Sequence, residues 1–89
     1  MESHTSRRFR EALARLPKTV QKDASDAFRL FRDNPRHPSL QFKKVHATKP
    51  IYSARVSGDY RAIGTIEGDC VVWFWVGPHA EYSAILSRL

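Results

Sequence analysis

Eighty-nine residues are room for one domain and not two, and the 42% apolar content argues against disorder, so the chain reads as a single folded domain over residues 1–89. Fifteen Lys and Arg against nine Asp and Glu leave a formal charge of +6, an excess that favours a polyanion or an acidic protein as partner. The longest apolar run, Cys70 to Val76, is too short to cross a membrane, and the polar, Arg-rich opening does not read as a secretory signal.

In chain order, residues 1–6 are short and polar, with Ser3, Thr5 and Ser6 as candidate helix caps. From Arg7 a helical period sets in, placing Phe9, Ala12, Leu13 and Leu16 on one face. Pro17 interrupts it and suits the first turn of a second helix, where its missing N–H costs nothing. In that helix Val20, Ala24, Ala27, Phe28 and Phe31 form one apolar stripe, and Lys18, Lys22, Arg29 and Arg32 fall opposite. Asn34-Pro35 ends the helix, so the first third predicts a helical hairpin with one apolar and one cationic face.

The remainder predicts sheet. Leu40 to Val45 suits a short strand or an extended loop. Tyr52, Ala54 and Val56 alternate with Ser53 and Arg55, and Ser57-Gly58-Asp59 turns the chain into a return strand from Tyr60 to Ile66. Glu67-Gly68-Asp69 is a second turn. The strand Cys70 to Val76 is apolar on both faces and predicts an inner strand, with Trp73 and Trp75 on a shared face as core residues and Cys70 as a buried thiol in a reducing cytosol. Gly77-Pro78 ends it, and Tyr82, Ile85, Leu86 and Leu89 suggest a short C-terminal helix. The predicted fold is α+β: an N-terminal helical hairpin packed on a small antiparallel sheet of three to four strands.

Several residues carry chemical potential. With a three-residue hairpin loop, Arg55 stands directly opposite Arg61, and like charges facing across strands repel unless an anion or solvent screens them. A two-residue Gly58-Asp59 loop separates the pair. Of Lys43 and Lys44, at most one shares the arginines' face, because successive strand residues point to opposite sides. His79 and Tyr82 follow the inner strand where it opens to solvent; a histidine exchanges a proton near neutral pH and a tyrosine hydrogen-bonds or stacks. No spacing of the four histidines and one cysteine suits a metal, and there is no glycine loop to cradle a phosphate.

Three runs then resemble one family. Asn34-Pro-Arg-His-Pro-Ser-Leu-Gln-Phe-Lys-Lys-Val45 is similar to the link between helices and sheet in RelE/ParE-like toxins. Tyr52-Ser-Ala-Arg-Val-Ser-Gly-Asp-Tyr-Arg-Ala-Ile63 resembles their hairpin, in which a Tyr-Arg pair opens the second strand. Trp73-Phe-Trp-Val-Gly-Pro-His79-Ala-Glu-Tyr82 resembles their closing strand and His-x-x-Tyr. The order agrees along almost the whole chain, closer to the RelE type than to the ParE type.

The resemblance implies a RelE-like fold and a cytoplasmic toxin of a type II toxin–antitoxin pair, neutralised by an acidic segment of its antitoxin. It implies a metal-independent endoribonuclease that cuts mRNA on the ribosome and represses translation, with no small-molecule cofactor and no membrane partner. Arg61 matches the family's phosphate-contacting arginine, Arg55 a strand lysine, His79 a catalytic arginine or histidine, and Tyr82 a C-terminal tyrosine. Lys43 and Lys44, with Lys18, Lys22 and Arg29, are the expected RNA contacts. Ser53 departs from the family, standing where RelE-type enzymes often carry a second lysine. Two alternatives follow: a ParE-type gyrase inhibitor, or a diverged binding module that keeps the fold and has lost the catalysis.

Overall fold

A computed structural model describes all 89 residues. It consists of β1 (Glu2–Thr5), α1 (Arg7–Ala14), α2 (Lys18–Asp33), a 3-10 turn (Pro38–Leu40), β2 (Lys43–Lys44), β3 (Ile51–Ser57), β4 (Tyr60–Glu67), β5 (Cys70–Pro78) and α3 (His79–Leu86). The five strands form one sheet in the order β1-β5-β4-β3-β2.

The sheet is mixed, which corrects the expected antiparallel sheet of three to four strands. β1 pairs in parallel with β5, Glu2 opposite Cys70 and Thr5 opposite Trp73, whereas β2 through β5 run antiparallel. The sequence Glu-Ser-His-Thr has no apolar alternation because β1 is an edge strand held by its backbone and by Trp73, whose Nε1 donates to Ser3 Oγ at 2.7 Å. The expected helical hairpin is also corrected. α1 rests on β5 and α2 on β3, so each helix packs on the sheet rather than chiefly on the other. They meet where Phe9 and Phe28 lie edge to face, with ring centroids 5.5 Å apart.

Ser6 caps α1, its Oγ accepting from Phe9 N at 3.1 Å. Pro17 stands just outside α2, as its locked φ and missing N–H require. The stripe Val20, Ala24, Ala27, Phe28 and Phe31 faces the sheet, with Val20, Ala24 and Phe31 fully buried. Ala24 and Phe31, with Phe9, Leu40, Ala54, Val56, Ala62, Val71, Trp73 and Val76, build the larger core on the α1/α2 side, and Ala27 and Phe28 pack against it. The other face carries a smaller core of Ile51, Ile63 and Tyr82, against which Trp75, Ile85 and Leu86 pack. Lys49 Nζ, donating to Leu89 O at 2.8 Å, holds the end of the chain over this face.

The expectation that Trp73 and Trp75 share a face fails at a bulge. β4 and β5 pair Ile63 with Trp75 but Gly64 with Trp73, so Phe74 is the extra residue and the two indoles point to opposite sides. Gly64 permits this, because a Cβ there would meet Trp73 Cε3 at 2.8 Å and Val72 O at 2.9 Å. Cys70 begins β5 half-exposed rather than buried. Its thiol pKa is raised by desolvation and by the nearby Glu2 and Glu67 carboxylates.

Candidate functional site

Strand parity places Arg55, Arg61 and Lys43 on the α3 side of the sheet. Ile51, Ser53 and Arg55 alternate along β3, Arg61 and Ile63 along β4, and Lys43 pairs with Ser53. Lys44, one residue on, faces the opposite side. Of the two lysines, therefore, one joins the arginines.

Arg55 is directly opposite Arg61. The hairpin has the two-residue Gly58-Asp59 turn that on its own separates them, but a bulge at Val56 restores the pairing: Ser57 sits across from Tyr60 and Arg55 across from Arg61. Both side chains donate to one acceptor, Gly58 O, from Arg55 Nε at 3.3 Å and from Arg61 Nη1 at 3.2 Å. Arg61 Nη1 also reaches Tyr60 O at 3.1 Å. Neither arginine takes part in the ion pairs of the molecule, all of which lie on α1 and α2 or just beside them. Two half-exposed guanidinium groups thus converge on one carbonyl with no carboxylate to neutralise them. Guanidinium forks match phosphate oxygens, so a bare cationic pair of this kind is suited to an oxyanion.

The same turn holds His79. Its backbone N–H donates to Asp59 O, which fixes the start of α3 against the Gly58-Asp59 turn. The imidazole is exposed and stacks on Tyr82, centroids 5.5 Å apart and planes 20° from parallel. Tyr82 is 9% exposed, and its hydroxyl donates to Ser53 Oγ at 2.9 Å. Ser53 is 2% exposed, so the position where a second lysine was expected lies beneath α3 and anchors the tyrosine instead. The structure therefore brings Arg55, Arg61, His79 and Lys43 to one open face, with Tyr82 as the support under His79.

The other expected contacts stand apart. Lys18, Lys22 and Arg29 are exposed on α2, which covers the opposite face of the sheet. Lys22 Nζ and Arg29 Nη1 both pair with Asp26, at 3.0 and 3.6 Å. A cleft of about 670 Å³ also lies on that side, between β1 and α2, where Arg29 and Arg32 reach it. Neither Arg55 nor Arg61 lines it. No three His, Cys, Asp or Glu side chains gather to hold a metal, and no helix is long and apolar enough to cross a membrane.

Residues 18–84 match the family model of the ParE-like toxin domain, a span containing α2, every site residue and most of α3. The chain belongs to the ParE-like toxin family. Its fold is that of solved RelE toxins. The RelB–RelE antitoxin–toxin complex of Methanococcus jannaschii superposes with a TM-score of 0.74 at 17% identity, over 92% of this chain and 96% of that one. The RelE–RelB complex of Pyrococcus horikoshii gives 0.69 at 21% identity, over 86% and 92%. YafQ of Escherichia coli gives 0.66 at 17% identity, over 91% and 96%. No curated protein matches the sequence. Membership of this toxin family agrees with the three sequence runs, and the RelE-type neighbours agree with the RelE side of the resemblance at the level of fold.

β1 is only weakly signalled in the sequence, as a possible fourth strand near the N-terminus, and Arg8 and Arg15 went unread. β1 has no apolar pattern, and the two arginines acquire meaning only once β1 sets α1 beside the end of β5.

Proposed function

We propose that this toxin is a metal-independent endoribonuclease that cuts ribosome-bound mRNA and so represses translation. The observation that supports it is the unneutralised Arg55–Arg61 pair, set against the turn from which His79 projects. Cleavage of this class needs three things: a base for the ribose 2′-hydroxyl, cations for the charge that builds on phosphorus, and an acid for the leaving 5′-oxygen. Arg55 and Arg61 hold the phosphate and stabilise the pentacovalent transition state. His79 is the one histidine at the site, and an imidazole nitrogen can accept or donate a proton. In attack, the 2′-oxygen bonds to phosphorus as its proton passes to a solvent water, and the P–O5′ bond breaks as the departing 5′-oxygen takes a proton from the His79 imidazolium, which solvent then reprotonates. The products are a 2′,3′-cyclic phosphate and a 5′-hydroxyl end.

Tyr82 acts through His79, as the flat surface that fixes the imidazole, and Lys43 extends the cationic face along the message. The Methanococcus and Pyrococcus neighbours are toxins in complex with RelB antitoxins, and this chain, with its charge of +6, pairs likewise with an acidic antitoxin segment in the cytoplasm.

Expression from a tightly controlled promoter tests the reading. Growth arrest with new mRNA 5′ ends inside translated frames, both lost in Arg61→Ala, is the expected result. Arrest with intact transcripts and a DNA-damage response would assign the fold to gyrase inhibition, and normal growth to a binding module without catalysis.

A further inference from the structure

β1 covers β5 only as far as Trp73, so the stretch from Phe74 to Pro78 pairs with β4 on one side and has no strand on the other. α1 lies along this end of β5 and leaves a cleft of about 270 Å³ lined by Arg8, Glu11, Ala12, Arg15, Phe74 and Trp75. Arg8 and Arg15 are exposed and make no ion pair, while the Glu11 carboxylate is drawn to Arg7 at 3.8 Å.

The position of Trp75 links this cleft to the phosphate site. A Cβ on Gly77 would meet Trp75 Cζ2 at 2.7 Å, Cη2 at 3.1 Å and Cε2 at 3.3 Å, so the indole lies flat over the Gly77 α-carbon. Gly77 is the partner of Arg61 on the neighbouring strand. The indole therefore flanks Arg61 on the α3 face at one side and borders the Arg8/Arg15 cleft at the other. It stays half-exposed, whereas Trp73 is fully buried.

The α3 face thus presents Arg55, Arg61 and an indole across β3, β4 and β5, and Arg8 and Arg15 follow on α1 around the open edge of β5, at the cleft that the indole borders. Guanidinium groups interleaved with an open aromatic surface are the pattern that holds single-stranded nucleic acid, the cations taking phosphates and the ring taking a base. We infer that Trp75, Arg8 and Arg15 form a subsite for the nucleotide flanking the one held by Arg55 and Arg61, with its base stacked on the Trp75 indole and its phosphate on the two α1 arginines. The inference rests on the proposed RNA-directed reading of the site and adds a subsite to it.

Tryptophan emission reads the subsite directly, because Trp75 is the one half-exposed indole. The probe is a short 2′-O-methyl oligoribonucleotide, which binds but lacks the attacking hydroxyl, with affinity read in parallel from the anisotropy of an end label. Expected is saturable quenching of wild-type emission, and affinity weakened about five-fold or more in Trp75→Leu, whose aliphatic side chain keeps apolar packing without a stacking face. In Arg8→Ala/Arg15→Ala, both positions exposed, the slope of log affinity against log salt should flatten by about 0.7 for the one lost phosphate contact. Thermal melts of both variants separate lost binding from lost folding. Binding that depends on Arg61 but leaves Trp75 emission unchanged, with the double variant as tight as wild type, would overturn the subsite and leave the phosphate site standing. Failure of the wild-type protein to bind any oligonucleotide would overturn both.

Discussion

Replacing Arg55 with glutamine should make the protein more stable and less active. Arg55 Nε and Arg61 Nη1 share Gly58 O at 3.3 and 3.2 Å, so the two nitrogens lie within about 6.5 Å of each other. At that separation two unit charges repel by about 0.6 kcal/mol in bulk water and about 2.6 kcal/mol at an effective dielectric of 20. Both side chains are half-exposed, which puts the repulsion toward the lower value, and glutamine retains a donor for the turn. A net gain of about 0.5–1 kcal/mol follows, or a melting temperature higher by about 2–8 °C for a domain of this size. Paired thermal melts at about 0.01 M and about 1 M salt check it, because the gain should vanish where the screening length falls to about 3 Å. Inorganic phosphate should stabilise the parent more than the variant, since only the parent keeps both guanidinium groups for the anion. A variant less stable than the parent at low salt, or a gain that persists at high salt, would refute the view that this pair stores repulsion for an anion to relieve.

Three other outcomes follow from the packing. Gly64→Ala drives a Cβ into Val72 O and Trp73, one of them backbone, and should lower stability by about 1–3 kcal/mol in urea denaturation. Tyr82→Phe leaves the buried Ser53 hydroxyl without its donor and should cost about 1–3 kcal/mol, while growth arrest persists because the aromatic surface under His79 remains; complete loss of toxicity in a folded variant would assign the hydroxyl itself to the chemistry. Cys70, whose thiol pKa lies above its ordinary value through desolvation and through Glu2 and Glu67, should react with iodoacetamide at mildly alkaline pH more slowly than an unhindered cysteine, and Glu2→Gln/Glu67→Gln should speed it; equal rates in parent and variant would remove the carboxylates as a cause.

The site was legible where side chains obey a local period and hidden where long-range packing decides. Arg55 and Arg61 could be paired from the sequence because both flank a turn, although the register that achieves it, a short turn compensated by a bulge at Val56, leaves no compositional mark. A strand near the N-terminus is only weakly signalled by Glu-Ser-His-Thr, since an edge strand held by its backbone needs no apolar face. Alternation put Trp73 and Trp75 on one side, and a single extra residue, Phe74, reversed that. Ser53 looked like a missing cation; only the fold shows that α3 covers it and that Tyr82 uses it as an acceptor. Charge periodicity on α2 marked a cationic face but not its location, on the far side of the sheet from the arginines.

Primer extension on an mRNA being translated in a reconstituted system, with purified wild-type protein beside Arg61→Ala, tests the central claim most directly. The account predicts a new 5′-hydroxyl end within the ribosome-bound codon, appearing without added metal beyond what translation requires and absent when ribosomes are omitted. It predicts no such end with the Arg61→Ala protein. Uncut message with the folded wild-type protein, or equal cutting by both proteins, would contradict it.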